Sequence, residues 1–152
     1  MRETIGNTFI IKLVIVFTLL FSAFLALAIS YNKVFRMKNE VLSIIEKYEG
    51  INDTSLNVIN NYFYSNGYTT TNGCPDDYMG VNNFEGEAVA AVKGEKYYFC
   101  YQESKVSSKN GANANINQKK YDVIVFYKFY LPVVGDIFTF NVKGQTKSIN
   151  NG

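Results

Sequence analysis

Residues Leu13 to Asn32 read LVIVFTLLFSAFLALAISYN, twenty positions without a charge. Coiled as a helix rising about 1.5 Å per residue, they make a rod of roughly 30 Å, the thickness of a bilayer's hydrocarbon core. The helical pattern does not stop there. Past Lys33 the apolar residues recur at Val34, Met37, Val41, Ile44 and Tyr48, with Leu42 and Ile45 beside them. Steps of three and four are the stripe of an amphipathic helix. One continuous helix is therefore apolar all round at its start and one-sided at its end. This predicts a chain anchored in a membrane that packs a domain against its own anchor. The expected organisation is a short cytoplasmic segment (1–12), a transmembrane helix (13–32), its amphipathic continuation (33–50) and an extracytoplasmic α+β domain (51–152).

The same start also has the parts of a secretory signal. Arg2 and Lys12 suit a basic leader, Leu13 to Leu25 an apolar run, and Ala26-Leu27-Ala28 the small-x-small form of a cleavage site. A cut after Ala28 releases a secreted binding domain beginning at Ile29. Against that cut, Ala26 to Asn39 holds no Gly or Pro to break the helix, so retention is the expectation. In a retained anchor, Ser22, Ala26 and Ser30 fall four apart on one face. Small residues there let another helix approach closely in lipid, although Ala and Ser occur in any span. These three, with Val34, Met37, Val41 and Ile44, form the expected helix-packing and assembly face. Flanking charge does not settle orientation: Arg2 and Lys12 stand at one end, Lys33, Arg36 and Lys38 at the other, a count that slightly favours a cytoplasmic C-terminal side. The cysteines and a body rich in Tyr, Asn and Thr favour an external domain and a cytoplasmic N-terminus.

About 100 residues follow Gly50, enough for one small domain. Cys74 and Cys100 both lie there. An even pair in a small exported domain suggests one disulfide, closing a loop of about 27 residues; two buried thiols are the alternative. Gly50 suits a left-handed helix end after Tyr48-Glu49. Asp53 or Thr54 is placed to cap a second helix through Leu56, Ile59 and Phe63, ending near Gly67. Tyr68 to Phe84 reads as irregular, tied down by Cys74. Glu87–Val92 and Tyr97–Gln102 flank Lys93-Gly94-Glu95-Lys96 and predict a hairpin. Ser104 to Asn117 is polar and reads as an exposed loop. Tyr121 to Leu131 is apolar on both faces and reads as a central strand. Leu131 to Gly135 is a turn, and Asp136 to Ile149 is a fourth strand or a pair bent around Gly144. The sum is a small antiparallel sheet needing a cover for its apolar face, which the stripe from Val34 to Tyr48 supplies.

Little in the chain suggests catalysis. With no His, there is no Ser-His-Asp or Cys-His arrangement and no imidazole ligand. Phosphate-cradling and nucleophile-elbow motifs are missing. Asp76-Asp77 is an adjacent acidic pair, better read as solvated than as a calcium site. Glu85, Glu87 and Glu95 offer carboxylates without a readable separation. Tyr97-Tyr98-Phe99-Cys100-Tyr101 is better read as sheet packing than as a ligand-stacking surface. A net charge of +2 with mixed signs lacks the basic field that nucleic acid demands. No enzyme activity, cofactor, metal, nucleic acid or small-molecule substrate is expected.

Thr8 to Tyr48, followed by a short connection, a sheet and the terminal FYKFYLPVVGDIFTFNVKGQTKSI, resembles a type IV pilin or pseudopilin. Within that group the chain most resembles the TadE-like minor pilins of Tad/Flp pilus systems in Gram-positive bacteria. The resemblance implies a structural or assembly subunit at the cell surface, with membrane lipid and sibling pilin-like subunits as partners. One feature departs from the family pattern. Pilin precursors carry a Gly before the cleavage point and a Glu five residues into the mature helix. Here Gly6 is present, but the fifth position after it is Ile11, and no acid stands between Glu3 and Glu40.

Overall fold

The computed structural model describes residues 2–82, 88–108, 116–131 and 135–150. Helix α1 (Arg2–Lys47) is one unbroken element of 46 residues. Its end is set by backbone geometry. The Gly50 N–H donates to the Ile45 carbonyl and the Glu49 N–H to the Glu46 carbonyl, the paired bonds of a Schellman end. The left-handed helical residue is Glu49 (φ 57°), one before Gly50, and Gly50 follows with a positive φ of 136°. Glycine is needed there both for that backbone and because a side chain would meet the Tyr121 hydroxyl at 2.9 Å. Helix α2 (Asp53–Ser65) starts at Asn52, whose side chain and Ser55 form a reciprocal capping box. The expected caps Asp53 and Thr54 already lie inside the helix. Gly67 (φ 62°) ends it, with the Tyr68 N–H returning to the Phe63 carbonyl.

The strands are β1 (Met79–Val81), β2 (Ala88–Ala90), β3 (Phe99–Ser108), β4 (Ile116–Leu131), β5 (Gly135–Gln145) and β6 (Ile149–Asn150). They form one antiparallel sheet in the order β2-β1-β3-β4-β5, with β6 paired to β4. The α+β arrangement is as expected, and β4 is central.

Three local expectations need correction. The hairpin over Glu87–Val92 and Tyr97–Gln102 does not form, because Ala88–Ala90 pairs with β1, which lies between β2 and β3. The Tyr97 backbone is already used by Asn72, through bonds of 3.0 and 2.8 Å. Its ring fills the space a side chain at Gly80 would need, so the chain folds over β1. The polar stretch from Ser104 is paired backbone at both ends, Lys105 opposite Lys119 and Ser108 opposite Ile116; residues 109–115 lie outside the described set. Ladder bonds and the Lys119–Glu103 ion pair at 3.1 Å carry these strands past the core, where no apolar pattern marks them. The break between β5 and β6 falls at Thr146–Ser148 and not at Gly144. Buried Thr146 accepts the Tyr121 N–H at 2.9 Å and returns its own N–H to the Tyr121 carbonyl. The Lys147 N–H then binds the Glu46 carboxylate at 2.8 Å, fastening this corner to α1.

The core lies between the upper half of α1 and one sheet face. Val34, Met37, Val41, Ile44 and Ile45 pack with Leu56, Ile59 and Phe63 of α2 and with Phe99, Val123 and Val125 of the sheet. Each such side chain contributes about 1.5–3 kcal/mol through burial. The opposite face has a smaller cluster of Cys100, Ile124 and Phe126, against which Cys74 and Tyr78 pack. The Cys74–Cys100 disulfide is formed and holds the irregular segment over that face. Both faces of β4 are thus buried, as its doubly apolar sequence requires.

Candidate functional site at the junction of helix and sheet

The lower half of α1 is bare. Among the described residues, nothing covers the large apolar side chains from Phe9 to Phe24, and the helix over Thr8–Lys47 is long and apolar enough to cross a membrane. Its hydroxyls are satisfied within the helix: Thr18 donates to the Val14 carbonyl at 2.8 Å and Ser22 to the Leu19 carbonyl at 2.9 Å. A polar group satisfied this way adds little cost in a lipid environment.

The expected assembly residues fall into two groups. Val34, Met37, Val41 and Ile44 are buried in the chain's own core, so their contacts are intramolecular. Ser22 is exposed, while Ala26 and Ser30 are half-buried on the helix just below the domain. The small-residue line thus runs down from the face that carries the sheet, and only its lower part is open to a second helix.

Where helix meets sheet, the backbones come close. A side chain at Gly144 would meet Leu42 and Lys38, each at 2.8 Å, so glycine lets β5 lie against α1. The buried Lys38 runs its stem along this contact and sets its ammonium 4.2 Å from the centre of the Phe35 ring. On the other flank the Lys33 ammonium donates to the Asn66 carbonyl at 3.2 Å, a cation at the C-terminal end of α2. Beyond Gly67, the Tyr68 hydroxyl accepts the Phe126 N–H at 2.9 Å and donates to the Phe126 carbonyl at 2.8 Å. It takes the place of a neighbouring strand where the β3–β4 ladder ends. Burial pushes this phenol's pKa well up.

Two further features were not legible from sequence. Tyr31 and Phe35 stack along the helix at 6.4 Å, and Tyr127 and Phe140 stack across β4 and β5 at 6.2 Å. The pairs face each other across an apolar cavity of about 420 Å³, also lined by Leu27 and Val142. The available signal was the Tyr31/Phe35 spacing at the edge of the uncharged run, a position where membrane proteins place aromatics.

Groups that serve chemistry are scattered. Asp76 and Asp77 are exposed, and the Glu95 carboxylate is engaged by the Tyr97 hydroxyl at 3.0 Å. Glu85 and Glu87 lie outside the described residues. Among the described residues no three His, Cys, Asp or Glu side chains cluster to hold a metal ion. Phe99 packs edge-on to Phe63 at 5.8 Å, as a core residue does. No family model matches the chain, and no curated protein or solved structure matches it either.

Proposed function

We propose that this protein is a single-pass, pilin-like membrane subunit whose role is structural, in the assembly of a Tad/Flp-type pilus or a related secretion system. The N-terminus is cytoplasmic and the disulfide-bonded domain lies outside. The observation that carries this reading is the continuity of α1. The same helix is bare over Phe9–Phe24 and is a core element of the domain from Val34 to Ile45. Head and shaft are therefore one rigid piece, which suits a subunit that transmits contacts between membrane and exterior. The small-residue line of Ser22, Ala26 and Ser30, most open at Ser22, is the proposed seat for a neighbouring subunit's helix. No catalytic, metal or cofactor role is proposed.

The test is Ala26→Leu in the native cell. The bulkier side chain sits outside the core, so the domain folds and its disulfide forms. Co-purification of sibling subunits is expected to fall at least several-fold; unchanged co-purification removes the seam from the reading. A second reading is supported by the core beginning at Val34. A cut after Ala28 spares every buried residue, so a secreted binding domain starting at Ile29 would fold.

A further inference from the structure

We propose that the cavity between α1 and the β4–β5 edge of the sheet sits in the bilayer surface and holds an acyl chain of a membrane phospholipid, so that the sheet is a second membrane contact beside the helix. This rests on the reading of α1 as a membrane span and adds to it a seat for the domain.

Depth is the first support. Gly144 lies against Lys38 and Leu42, whereas Phe140, four residues earlier on β5, shares a cavity with Leu27, Tyr31 and Phe35. Followed back from Gly144, β5 therefore descends the helix toward its N-terminus. Leu27 and Tyr31 belong to the uncharged run Leu13–Asn32. The side chain of Phe140 is thus level with residues that lipid would surround. The strand pair continues beyond it, to Leu131 opposite Gly135.

Chemistry is the second support. Four large side chains of the cavity rim stay open: Leu27 (41 % exposed), Tyr31 (50 %), Phe35 (42 %) and Phe140 (49 %). They are contiguous, and one of them, Phe140, lies on an element reached only through folding, more than 100 positions along the chain. Tyrosine at the level of a span's end is a mark of the aromatic belt of membrane proteins, and the apolar Leu27, Phe35 and Phe140 beside Tyr31 suit the acyl region below it. The charges are complementary to phospholipid. Lys143 lines the cavity itself and the Lys38 ammonium sits 4.2 Å from the centre of the Phe35 ring at its wall, whereas Lys33 and Arg36 lie on the α2 flank; the helix has no acid between Leu27 and Asn39. Cations just above an apolar slot place a headgroup phosphate over its acyl chain. A volume of about 420 Å³ falls in the range of pockets that hold small apolar ligands, roughly 300–1,000 Å³. A second protein copy would supply no reason for this ordering of cations above aromatics at the depth of the span.

The natural chain has no Trp, so a single introduced Trp reports its own surroundings. The full chain is reconstituted in vesicles of phosphatidylcholine and phosphatidylglycerol, with and without brominated acyl chains. Four variants are compared: Phe140→Trp, Tyr31→Trp on the opposite wall, Phe24→Trp within the bare span, and Tyr64→Trp on the exposed side of α2. The proposal expects brominated lipid to remove about half or more of the emission for Phe140→Trp and Tyr31→Trp, as for Phe24→Trp, with Tyr64→Trp quenched by aqueous iodide instead. If Phe140→Trp responds to iodide and not to brominated lipid while Phe24→Trp is quenched by the lipid, the cavity faces water and the proposal falls with the anchor intact. If Phe140→Trp responds to neither quencher, protein covers the cavity and the proposal also falls. If Phe24→Trp escapes brominated lipid as well, the anchor reading itself is wrong. Tyr31→Trp leaves the sheet unaltered and decides the matter should Phe140→Trp fail to fold.

Discussion

Removing one oxygen atom, by Tyr68→Phe, should destabilise the domain by about 2–6 kcal/mol. The Tyr68 hydroxyl binds both the N–H and the carbonyl of Phe126, at 2.9 and 2.8 Å, with the Tyr98 carbonyl also within 3.2 Å. The β3–β4 ladder begins at the Phe99–Val125 pair, so no strand stands ready to replace the hydroxyl at Phe126. Its loss leaves two buried backbone groups without a partner, each costing about 1–3 kcal/mol. Packing is untouched, since the phenylalanine ring keeps the 4.6 Å contact with Phe63. The assay is denaturant unfolding of the full chain in detergent micelles with the disulfide intact. A pH series adds a second readout. Burial raises the Tyr68 pKa above its ordinary 10.0, so the folded chain keeps a proton that the unfolded chain releases. The stability this contributes is full below pH 10.0 and declines as pH rises above that value. Tyr68→Phe should flatten that decline; a residual slope remains from Tyr101 and Tyr121, whose pKa values burial also raises. A loss of stability under about 0.5 kcal/mol, the range of an ordinary surface change, with an unaltered pH series would refute the strand-replacing role of the hydroxyl.

Other changes probe the remaining joints. Cys74→Ser should lower domain stability by about 3 kcal/mol, the entropy of opening the disulfide loop, and reductant should do the same to the natural chain in the same unfolding assay. Gly80→Ala should cost about 1–3 kcal/mol, because its Cβ falls within the Tyr97 ring; a thermal scan with no downward shift would show that the ring moves freely.

The parts of the fold set by period were legible, and the parts set by long-range competition were not. The switch from an all-apolar to a one-sided helix located both the bare shaft and the core stripe, because Val34, Met37, Val41 and Ile44 each repeat the same geometric step. The doubly apolar β4 announced its central place in the same way. The Cys74–Cys100 pairing was open to the two-thiol alternative until the disulfide was seen. The β1–β2 pairing was hidden because Gly80 and Tyr97, seventeen positions apart, decide it together. The polar strand ends escaped notice because ladder hydrogen bonds carry no side-chain signature. At the junction, sequence singled out Ser22, Ala26 and Ser30 but not the cavity opposite Tyr31 and Phe35. Its other wall, Tyr127 and Phe140, comes to that level only when β4 and β5 are laid along α1.

The most direct measurement of the central claim is fractionation of the producing cells followed by mass spectrometry of the native chain. A retained shaft predicts a membrane-fraction protein that keeps residues 13–32, starting either at Met1 or, after prepilin-type processing, at Asn7. A product that begins at Ile29 and is recovered from the culture medium would contradict it.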